Sequence, residues 1–348
     1  MRVALVAPFV STIADRGAQM GGSQAVLADL GAGLAARGHD VTLLAARRSH
    51  VGGVRIPDLG IDADPSASVG TRAERRSASQ ERAFAAVRAW LDHDAQRPEV
   101  IHAHAFDAPA FEQLRGLGAL HTLHLPPLDD AVVAAARAAD ATLATVSPSC
   151  QADWRAAGVA VDVILPNGVD LNAIPLGSGA GRYLAFCGRM SREKGADVAC
   201  RVARAVGMPL RLAGPVYDQT YFSTVVSPLL GGDVVYLGAL DRASVWRLLG
   251  DAALALFPVD WNEPFGMAAL ESLACGTPVA GFRRGGLTEL VTEGRTGTLA
   301  APGDEGALAE AVRASLGLSR DECRESARRY DLAHMLDAHE AVYRRLVS

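Results

Sequence analysis

Residues 254–274 read LALFPVDWNEPFGMAALESLA and predict a strand, a turn and a helix in succession. The apolar run at 254–258 is typical of a buried strand. The turn that follows contains Glu263 and Gly266, and the helix predicted for 267–274 contains Glu271. A strand that leads through a turn into a helix is the repeating unit of α/β proteins, in which ligands bind beyond the carboxyl ends of the strands.

The same alternation continues towards both ends of the chain. In the first half, strands are predicted at 3–7, 41–45, 100–103, 120–125, 141–146 and 161–165, with helices at 24–37, 78–95 and 131–138. In the second half, further strands are predicted at 183–187, 210–213, 234–237 and 279–281, with helices at 196–206, 244–250 and 287–293. We therefore predict an α/β protein with two doubly wound, Rossmann-like domains and an active site in the cleft between them.

A stretch of small residues, LGSGAGR at 176–182, separates the two runs and suits an interdomain linker. The chain has 348 residues, which is too long for one ordinary hydrophobic core. We predict an N-terminal domain at 1–175 and a C-terminal domain at 176–330. A polar, amphipathic segment at 331–348 ends the chain.

Composition excludes some classes of protein. The net charge is −5, so no global basic field is available to hold DNA or RNA, and no nucleic-acid partner is expected. The five cysteines are dispersed, which predicts free thiols in a reducing compartment. No run approaches the roughly 18 apolar residues of a membrane span, so we expect a cytoplasmic protein with at most peripheral membrane contact.

Two carboxylates stand out in the stretch 254–274. The predicted helix start at 267 offers unpaired backbone N–H groups that suit a phosphate, and Gly266 would let a ligand approach the backbone. Glu271 could accept two hydrogen bonds from a vicinal diol such as ribose, and Glu263 could face a sugar. Two glutamates eight residues apart also occur by chance, so the neighbouring sequence motifs must show whether this pair belongs to a binding site.

That context is the basic loop FCGRMSREKG at 186–195, which lies between a predicted strand and a predicted helix. Arg189 and Lys194 suit a diphosphate leaving group, because cations there balance the charge that grows as a glycosidic bond breaks. A solvated basic turn is the alternative interpretation.

Four histidines lie at or near the ends of two predicted strands: His102, His104, His121 and His124. A histidine at the carboxyl end of a strand can point into a ligand cleft. No Asp or Cys spacing beside them supports a metal site. We expect His102 and His121 to have structural roles. His104 could have either a structural role or a contact with a ligand.

Together these segments resemble the retaining glycosyltransferase family 4, whose members have the GT-B fold. The E-x7-E and G-R-x4-K-G elements of that family are matched by Glu263, Glu271, Gly188, Arg189, Lys194 and Gly195. Further matches follow in the expected order at Gly21-Gly22, 165–170, 275–279 and 285–290. The resemblance covers 3–300, and 258–266 looks like the subgroup that contains a transferase of avilamycin biosynthesis.

The resemblance implies a set of donor-binding residues: Gly21, Gly22, Gly188, Arg189, Lys194, Glu263, Phe265, Gly266, Met267, Ala268 and Glu271. It implies four catalytic residues, namely Glu263, His124, Arg189 and Lys194. Arg189 and Lys194 would bind the diphosphate, and Glu271 the ribose hydroxyls. Glu263 would contact the donor sugar, with His124 beside it. Segment 331–348 would cross back to the first domain as a helix.

The resemblance also implies retention of anomeric configuration without a metal or other cofactor. We favour a front-side mechanism and a UDP-sugar donor over a GDP-sugar. The acceptor could be a glycan, a lipid or a small molecule, and the sequence names neither the transferred sugar nor the oligomeric state. Arg283 and Arg284 depart from the small apolar residues usual before the Gly285-Gly286 pair and could be a surface pair or ligand contacts. Segment 49–77 carries no readable motif.

Two alternative functions stay open at this point. One is a nucleotide-sugar 2-epimerase of the same fold, which would need acid/base carboxylates around the sugar. The other is a non-catalytic nucleotide-sugar binder. An NAD-dependent oxidoreductase is disfavoured because the first loop lacks G-x-G-x-x-G.

Overall fold

The computed structural model describes residues 1–14, 21–65, 78–93 and 97–348. Within them the chain forms two compact units. Unit 1 comprises Met1–Gly168 and Leu332–Ser348, and unit 2 comprises Val169–Asp331. Much of the first loop and of segment 49–77 lies outside the described residues.

Unit 1 contains a six-stranded, all-parallel sheet in the order β2-β1-β3-β4-β5-β6. Its strands are β1 (Arg2–Val6), β2 (Asp40–Leu44), β3 (Val100–Ala103), β4 (Leu120–Leu123), β5 (Thr142–Thr145) and β6 (Val163–Ile164). Its first helices are α1 (Gly22–Ala36), α2 (Ala78–His93), α3 (Ala108–Gln113), α4 (Asp130–Arg137) and α5 (Pro148–Ala156). The central strands are almost wholly buried, as expected for a parallel sheet covered on both faces.

Unit 2 contains a second parallel sheet, in the order β12-β11-β10-β7-β8-β9. Its strands are β7 (Leu184–Cys187), β8 (Leu210–Ala213), β9 (Val234–Tyr236), β10 (Leu254–Phe257), β11 (Val279–Phe282) and β12 (Gly297–Ala300). Its α-helices are α6 (Ala196–Val206), α7 (Gln219–Tyr221), α8 (Arg242–Asp251), α9 (Met267–Ala274), α10 (Leu287–Leu290), α11 (Glu305–Ser315) and α12 (Arg320–Ala327). Short 3₁₀ turns occur at Arg192–Lys194, Ser227–Leu229 and Arg328–Tyr330, and a π turn at Phe222–Val226. The strand order is that of the Rossmann fold.

The core of unit 2 joins the sheet to helices α6 and α11. On α6, Ala199, Val202 and Ala203 are buried, and on α11 so are Leu308 and Val312. Spacing of three to four residues puts these side chains on one face of each helix. Packing of those faces against the strands fixes the strand ends from which the site loops emerge.

The last helix, α13 (Leu332–Val347), belongs to unit 1 and packs on α1. A Cβ on Gly33 would lie 2.7 Å from a methyl group of Leu336, so glycine permits the two helices to approach closely. Tyr343 is fully buried, and its hydroxyl forms a 2.7 Å hydrogen bond with Nδ1 of His102. The carboxyl end of the chain is therefore part of the core of unit 1.

The small-residue stretch 176–182 is not the free linker that its composition predicts. Gly177, Gly179 and Gly181 donate backbone hydrogen bonds to Cys275, Gly250 and Asp251 within unit 2. A Cβ on Gly177 would lie 2.1 Å from the carbonyl oxygen of Gly250. These glycines serve close backbone packing rather than flexibility, and the compact units divide earlier, after residue 168.

Two general predictions from composition can be compared with the structure. All five cysteines are free and buried, which confirms the expectation of free thiols. Among the helices in the described ranges, none combines the length and the apolar character that crossing a bilayer requires.

Five buried histidines of unit 1 remain uncharged in the folded state. Burial lowers the pKa of His121, His124 and His339 to about 4, and holds the pKa values of His102 and His104 well below the ordinary 6.5. In the unfolded chain each imidazole would bind a proton near its ordinary pKa. The unfolded state therefore takes up more protons than the folded state between about pH 6.5 and pH 4.

We expect the free energy of unfolding to fall as the pH is lowered through this window, because proton uptake favours the unfolded chain. Urea denaturation followed by circular dichroism at several pH values measures the slope. The His339→Gln variant should show a shallower slope than wild type. His93→Gln, at an exposed position of α2, should keep the wild-type slope. Equal slopes for His339→Gln and wild type would contradict the prediction.

Candidate functional site

The site in unit 2 starts from the topology of its sheet. β7 and β10 are hydrogen-bonded neighbours, although β8 and β9 separate them in the chain. From β7 the chain moves to β8 on one side, and from β10 it moves to β11 on the other. In open α/β sheets, a ligand crevice forms at the carboxyl ends of strands where the order reverses in this way. The basic loop follows β7 and the Asp260–Gly266 turn follows β10, so both predicted motifs lie at this point.

Glycine holds these two loops together. Gly195 has a left-handed backbone (φ 72°), and a Cβ there would lie 2.2 Å from the carbonyl oxygen of Pro258. Beside it, the backbone N–H of Asp260 donates to the carbonyl of Glu193 at 2.8 Å. The last glycine of the G-R-x4-K-G element is therefore needed for loop packing.

The structure brings Lys194 and Glu263 into direct contact. The Lys194 ammonium forms an ion pair with Oε2 of Glu263, and both side chains are about 15% exposed. Trp261 completes the cluster, because its Nε1 donates to the same Oε2 at 2.7 Å and its ring centroid lies 4.9 Å from the ammonium. Lys194 is also the only lysine in the chain. The sequence predicts the first two residues of this cluster and misses Trp261, which it places in the turn without a role.

A small pocket opens beside this cluster. Four predicted donor-site residues line it: Lys194, Glu263, Gly266 and Ala268. Phe186, Phe257 and Leu287 supply apolar walls. Gly266 caps α9 with a left-handed backbone (φ 96°), and Met267 is the first residue of that helix. The pocket is thus lined by a charged pair, by the start of a helix and by apolar side chains, a composition that is common in small-molecule sites.

The Gly285-Gly286 pair supports the same turn from behind. Gly286 donates its backbone N–H to the carbonyl of Glu263 at 2.7 Å. A Cβ on Gly285 would lie 2.2 Å from that carbonyl oxygen, and one on Gly286 would lie 2.5 Å from the carbonyl oxygen of Phe265. The Phe265 side chain is buried and packs edge-on against Tyr330. Only glycine fits at 285 and 286 without moving the turn that carries Glu263.

The two arginines that precede Gly285 and Gly286 form ion pairs with different carboxylates. Arg283 pairs with Glu293 and donates to the carbonyl of Leu299 at 3.1 Å. Arg284 pairs with Asp260 at 3.0 Å, next to the cluster. Arg284 therefore supports the turn after β10, and Arg283 lies in a surface ion pair.

Arg189 lies in the basic loop, apart from the cluster of Lys194. Its guanidinium donates to Glu193 at 3.2 Å and stacks 4.6 Å from the ring centroid of Tyr217. The loop is anchored at Gly188, whose N–H donates to Ala213 at 3.0 Å. With a third of its side chain exposed, Arg189 is accessible to a ligand at the strand ends.

Glu271 is held by two donors from helix α8. Its Oε1 accepts from Nε of Arg242 at 3.0 Å and from Nε1 of Trp246 at 3.2 Å. The sequence prediction misses both donors: it starts the helix at 244, after Arg242, and it includes Trp246 without assigning it a contact. The missed signal is Asp241, whose carboxylate caps the helix by accepting from the backbone N–H of Ser244.

Unit 1 carries the other predicted site residues. Gly21 and Gly22 form the start of α1. His124 follows β4, is 6% exposed, and its Nε2 lies 2.9 Å from Nδ1 of His104. Its lowered pKa leaves His124 uncharged near neutral pH, able to donate or accept a hydrogen bond.

The remaining two histidines of this group have structural contacts. His102 is enclosed between Tyr343 and Thr122, with a 2.7 Å hydrogen bond to each hydroxyl. His121 stacks on Phe111, with ring centroids 4.4 Å apart. Both lie in the interior of unit 1, where packing and hydrogen bonding explain their presence.

Comparison with known proteins gives two family matches. Residues 176–330 match the model for glycosyl transferases group 1, and residues 20–173 match the model for glycosyltransferase family 4. Between them the two matches span most of the chain and both units.

Curated relatives are similar over part of their length. A glycogen synthase of Mycobacterium tuberculosis (strain CDC 1551 / Oshkosh) is 30% identical over 256 residues, which are 63% of this chain and 60% of that protein. A GDP-mannose-dependent alpha-(1-6)-phosphatidylinositol dimannoside mannosyltransferase of M. tuberculosis (strain ATCC 25177 / H37Ra) is 37% identical over 42% of this chain and 38% of its own. The chain thus matches about 60% or less of the length of these two relatives.

Solved structures match over almost the whole chain. Sucrose-phosphate synthase from Thermosynechococcus elongatus has a TM-score of 0.82 at 22% identity, covering 99% of both chains. AviGT4, a glycosyltransferase involved in avilamycin A biosynthesis, has a TM-score of 0.71 at 24% identity, covering 100% of this chain and 98% of that one. HepE from Anabaena, solved with UDP and glucose, has a TM-score of 0.73 at 18% identity, covering 99% of this chain and 100% of that one.

These structural likenesses show the fold, and the family matches show the lineage. The chain belongs to the glycosyltransferases of group 1 and family 4, and its two Rossmann-like units are those of the GT-B fold.

Proposed function

We propose that this protein transfers a sugar from a nucleoside diphosphate sugar, UDP-sugar in preference to GDP-sugar, onto a glycan, lipid or small-molecule acceptor. The observation that carries the proposal is the cluster of Lys194, Glu263 and Trp261 at the carboxyl ends of β7 and β10. A cation that would bind the diphosphate and a carboxylate that would bind the sugar thus lie side by side, which supports the proposal.

The charges of the site suit a diphosphate leaving group. Without ligand, the Lys194 ammonium is neutralised by the carboxylate of Glu263. A nucleoside diphosphate carries more negative charge than one carboxylate, so it would compete for the ammonium and free an oxygen of Glu263 to face the sugar. Trp261 would hold that carboxylate meanwhile. Arg189, on the same loop, would add a second cation.

The composition of the chain supports a specific role for this ammonium. Lys194 is one lysine among 34 basic residues, the others being arginines. An ammonium is a compact charge, whereas a guanidinium is a broad planar fork. In the structure the compact ammonium of Lys194 contacts both Glu263 and the ring of Trp261. This favours a direct contact between Lys194 and the diphosphate.

Retention of configuration is proposed through a front-side reaction. The bond between the anomeric carbon and the diphosphate oxygen breaks, and the nucleoside diphosphate leaves with the bonding electrons. The acceptor hydroxyl adds to the same face of the oxocarbenium-like sugar, and its proton passes to the departing phosphate. Glu263 would hold sugar hydroxyls, and no metal would be needed because Lys194 and Arg189 balance the charge.

The relatives and the cysteines bear on the donor and the location. HepE, solved with UDP and glucose, favours UDP, whereas the mannosyltransferase relative is GDP-mannose-dependent by name. Five free thiols are typical of a reducing compartment, which supports a cytoplasmic location. The relatives reported above are synthases and transferases, so they favour transfer over the alternative of 2-epimerisation.

The single lysine allows a direct test of donor binding. Reductive methylation with ¹³C-formaldehyde would label two amines, those of Lys194 and the amino terminus. We expect UDP to shift the Lys194 signal in ¹³C NMR spectra, because the diphosphate replaces Glu263 as its partner. GDP and ADP tested in the same way would rank the nucleotides.

The amino-terminal signal is an internal control and should not move. A protein that binds UDP by calorimetry without any shift of the Lys194 signal would contradict the proposed diphosphate contact. A protein that binds none of the three nucleotides or their sugars would contradict the proposed function itself.

Glu263→Gln tests the role of Glu263 at the donor sugar. We expect donor hydrolysis to fall about a hundredfold, because the neutral amide binds sugar hydroxyls less strongly than a carboxylate and stabilises a cationic sugar less well. A donor analogue tests the front-side mechanism separately. Wild-type protein incubated with a 2-fluoro analogue of the donor should show no added sugar mass. A glycosyl adduct on any carboxylate, found by mass spectrometry, would defeat the front-side mechanism.

Metal independence has a separate test. We expect release of the nucleoside diphosphate from its sugar to continue in excess EDTA, because protein cations balance the leaving group. The assay compares rates with EDTA and after Mg²⁺ is restored. Loss of turnover with EDTA and recovery with Mg²⁺ would overturn this part of the proposal.

A further inference from the structure

The carboxylate of Glu271 is held asymmetrically. One oxygen, Oε1, accepts hydrogen bonds from both Arg242 and Trp246. Within the described part of the chain the other oxygen, Oε2, forms no hydrogen bond, and it is not sealed from solvent. One oxygen is thus used to fix the group, and the other stays available.

Helix α8 is built to supply these two donors. Asp241 caps its start, so Arg242 is its first residue and Trp246 follows one turn later. Residues four apart lie on the same face of a helix, and here that face contacts α9, which carries Glu271. The guanidinium of Arg242 also lies 5.1 Å from the ring centroid of Trp246. The two donor side chains therefore contact each other as well as the carboxylate.

Both donors are more deeply buried than the carboxylate that they hold. Arg242 is 6% exposed and Trp246 is 9% exposed, whereas the Glu271 side chain is 14% exposed. Their effect on a bound molecule must therefore pass through Glu271. The Glu271 carboxylate is also close enough to Cys187, the last residue of β7, to contribute to the raised pKa of that thiol, although burial contributes most. Glu271 itself lies in the second turn of α9, the helix that follows the turn after β10.

We propose that Arg242 and Trp246 are positioning residues, which fix Glu271 so that Oε2 accepts hydrogen bonds from the ribose hydroxyls of the nucleotide. The inference rests on the proposed function, because it assigns a nucleotide to this crevice. A carboxylate can only accept hydrogen bonds, so it recognises hydroxyl donors. A carboxylate locked in one orientation loses less rotamer freedom on binding than a mobile one.

This arrangement makes the site selective for ribose over 2′-deoxyribose. With Glu271 fixed, loss of the 2′-hydroxyl removes a hydrogen bond that the carboxylate cannot replace by turning. With Glu271 released, the carboxylate can reorient or be solvated, and the difference between the two sugars becomes smaller. Selectivity for the 2′-hydroxyl therefore reports the bracing of Glu271, and general loss of stability does not affect it.

The test compares binding of UDP and 2′-deoxy-UDP by calorimetry, or the corresponding GDP pair if the nucleotide ranking selects GDP. Trp246→Phe removes the N–H donor and keeps an aromatic ring in the core. We expect it to weaken UDP binding about tenfold and 2′-deoxy-UDP binding less than about threefold, as for loss of one hydrogen bond to a charged group. Arg242→Gln provides a second variant with the same expected direction.

Arg247→Gln is the matched control. Arg247 is on the exposed face of α8 and donates to the hydroxyl of Ser244, away from Glu271. It should keep the wild-type affinities for both nucleotides. Melting temperatures of all variants measure any loss of stability independently.

The outcomes distinguish failure of the positioning role from failure of the proposed function. If Trp246→Phe and Arg242→Gln prefer UDP over 2′-deoxy-UDP less strongly than wild type does, the positioning role is supported. Equal weakening of both nucleotides, or an unchanged ratio, overturns it while leaving the proposed function standing. Wild-type protein that binds UDP and 2′-deoxy-UDP equally also overturns it, because Glu271 then makes no ribose contact. Absence of any nucleotide binding overturns both the inference and the proposed function.

Discussion

The site of unit 2 depends on the contact between the loops that follow β7 and β10. Gly195 lies so close to the carbonyl of Pro258 that no side chain fits between them. This contact sets Lys194, from one loop, against Glu263 and Trp261, from the other. Behind the turn, Gly285 and Gly286 are packed equally closely against the backbone of Glu263 and Phe265. The charges are therefore positioned by backbone packing in which glycine is the only residue that fits.

Around this contact the two glutamates have different surroundings. Glu263 is paired with a cation that a diphosphate could draw away, so its partner can change when a ligand binds. Glu271 is paired with Arg242, which is buried and cannot follow a ligand. One carboxylate is thus suited to exchange partners during a reaction cycle, and the other to stay fixed throughout it. The E-x7-E spacing alone does not distinguish these two environments.

Among the described residues the sequence predicts every strand except β12, because buried strands leave regular apolar patterns, but it misses helices α3, α7, α11 and α12. It also misses α5, since Ser147-Pro148 is interpreted only as a strand end although Ser147 caps a helix with Pro148 at its first position. It extends α10 to 293, whereas the helix ends at Leu290. In the site it finds the charged residues of the loops. It cannot find Arg242 or Trp246 as partners of Glu271, because their contact is made between two helices far apart in sequence.

The two places where the chain passes between the units are also joined. The backbone N–H of Val169, at the start of unit 2, donates to the carbonyl of Tyr330, near its end, at 3.0 Å. Unit 2 is thus one uninterrupted piece with adjacent ends, whereas unit 1 needs α13 from the end of the chain to cover α1. Because a ribosome makes the chain from its amino terminus, unit 2 can fold completely while unit 1 is still waiting for its last helix. Unit 1, whose synthesis begins first, is therefore the unit that completes its folding last.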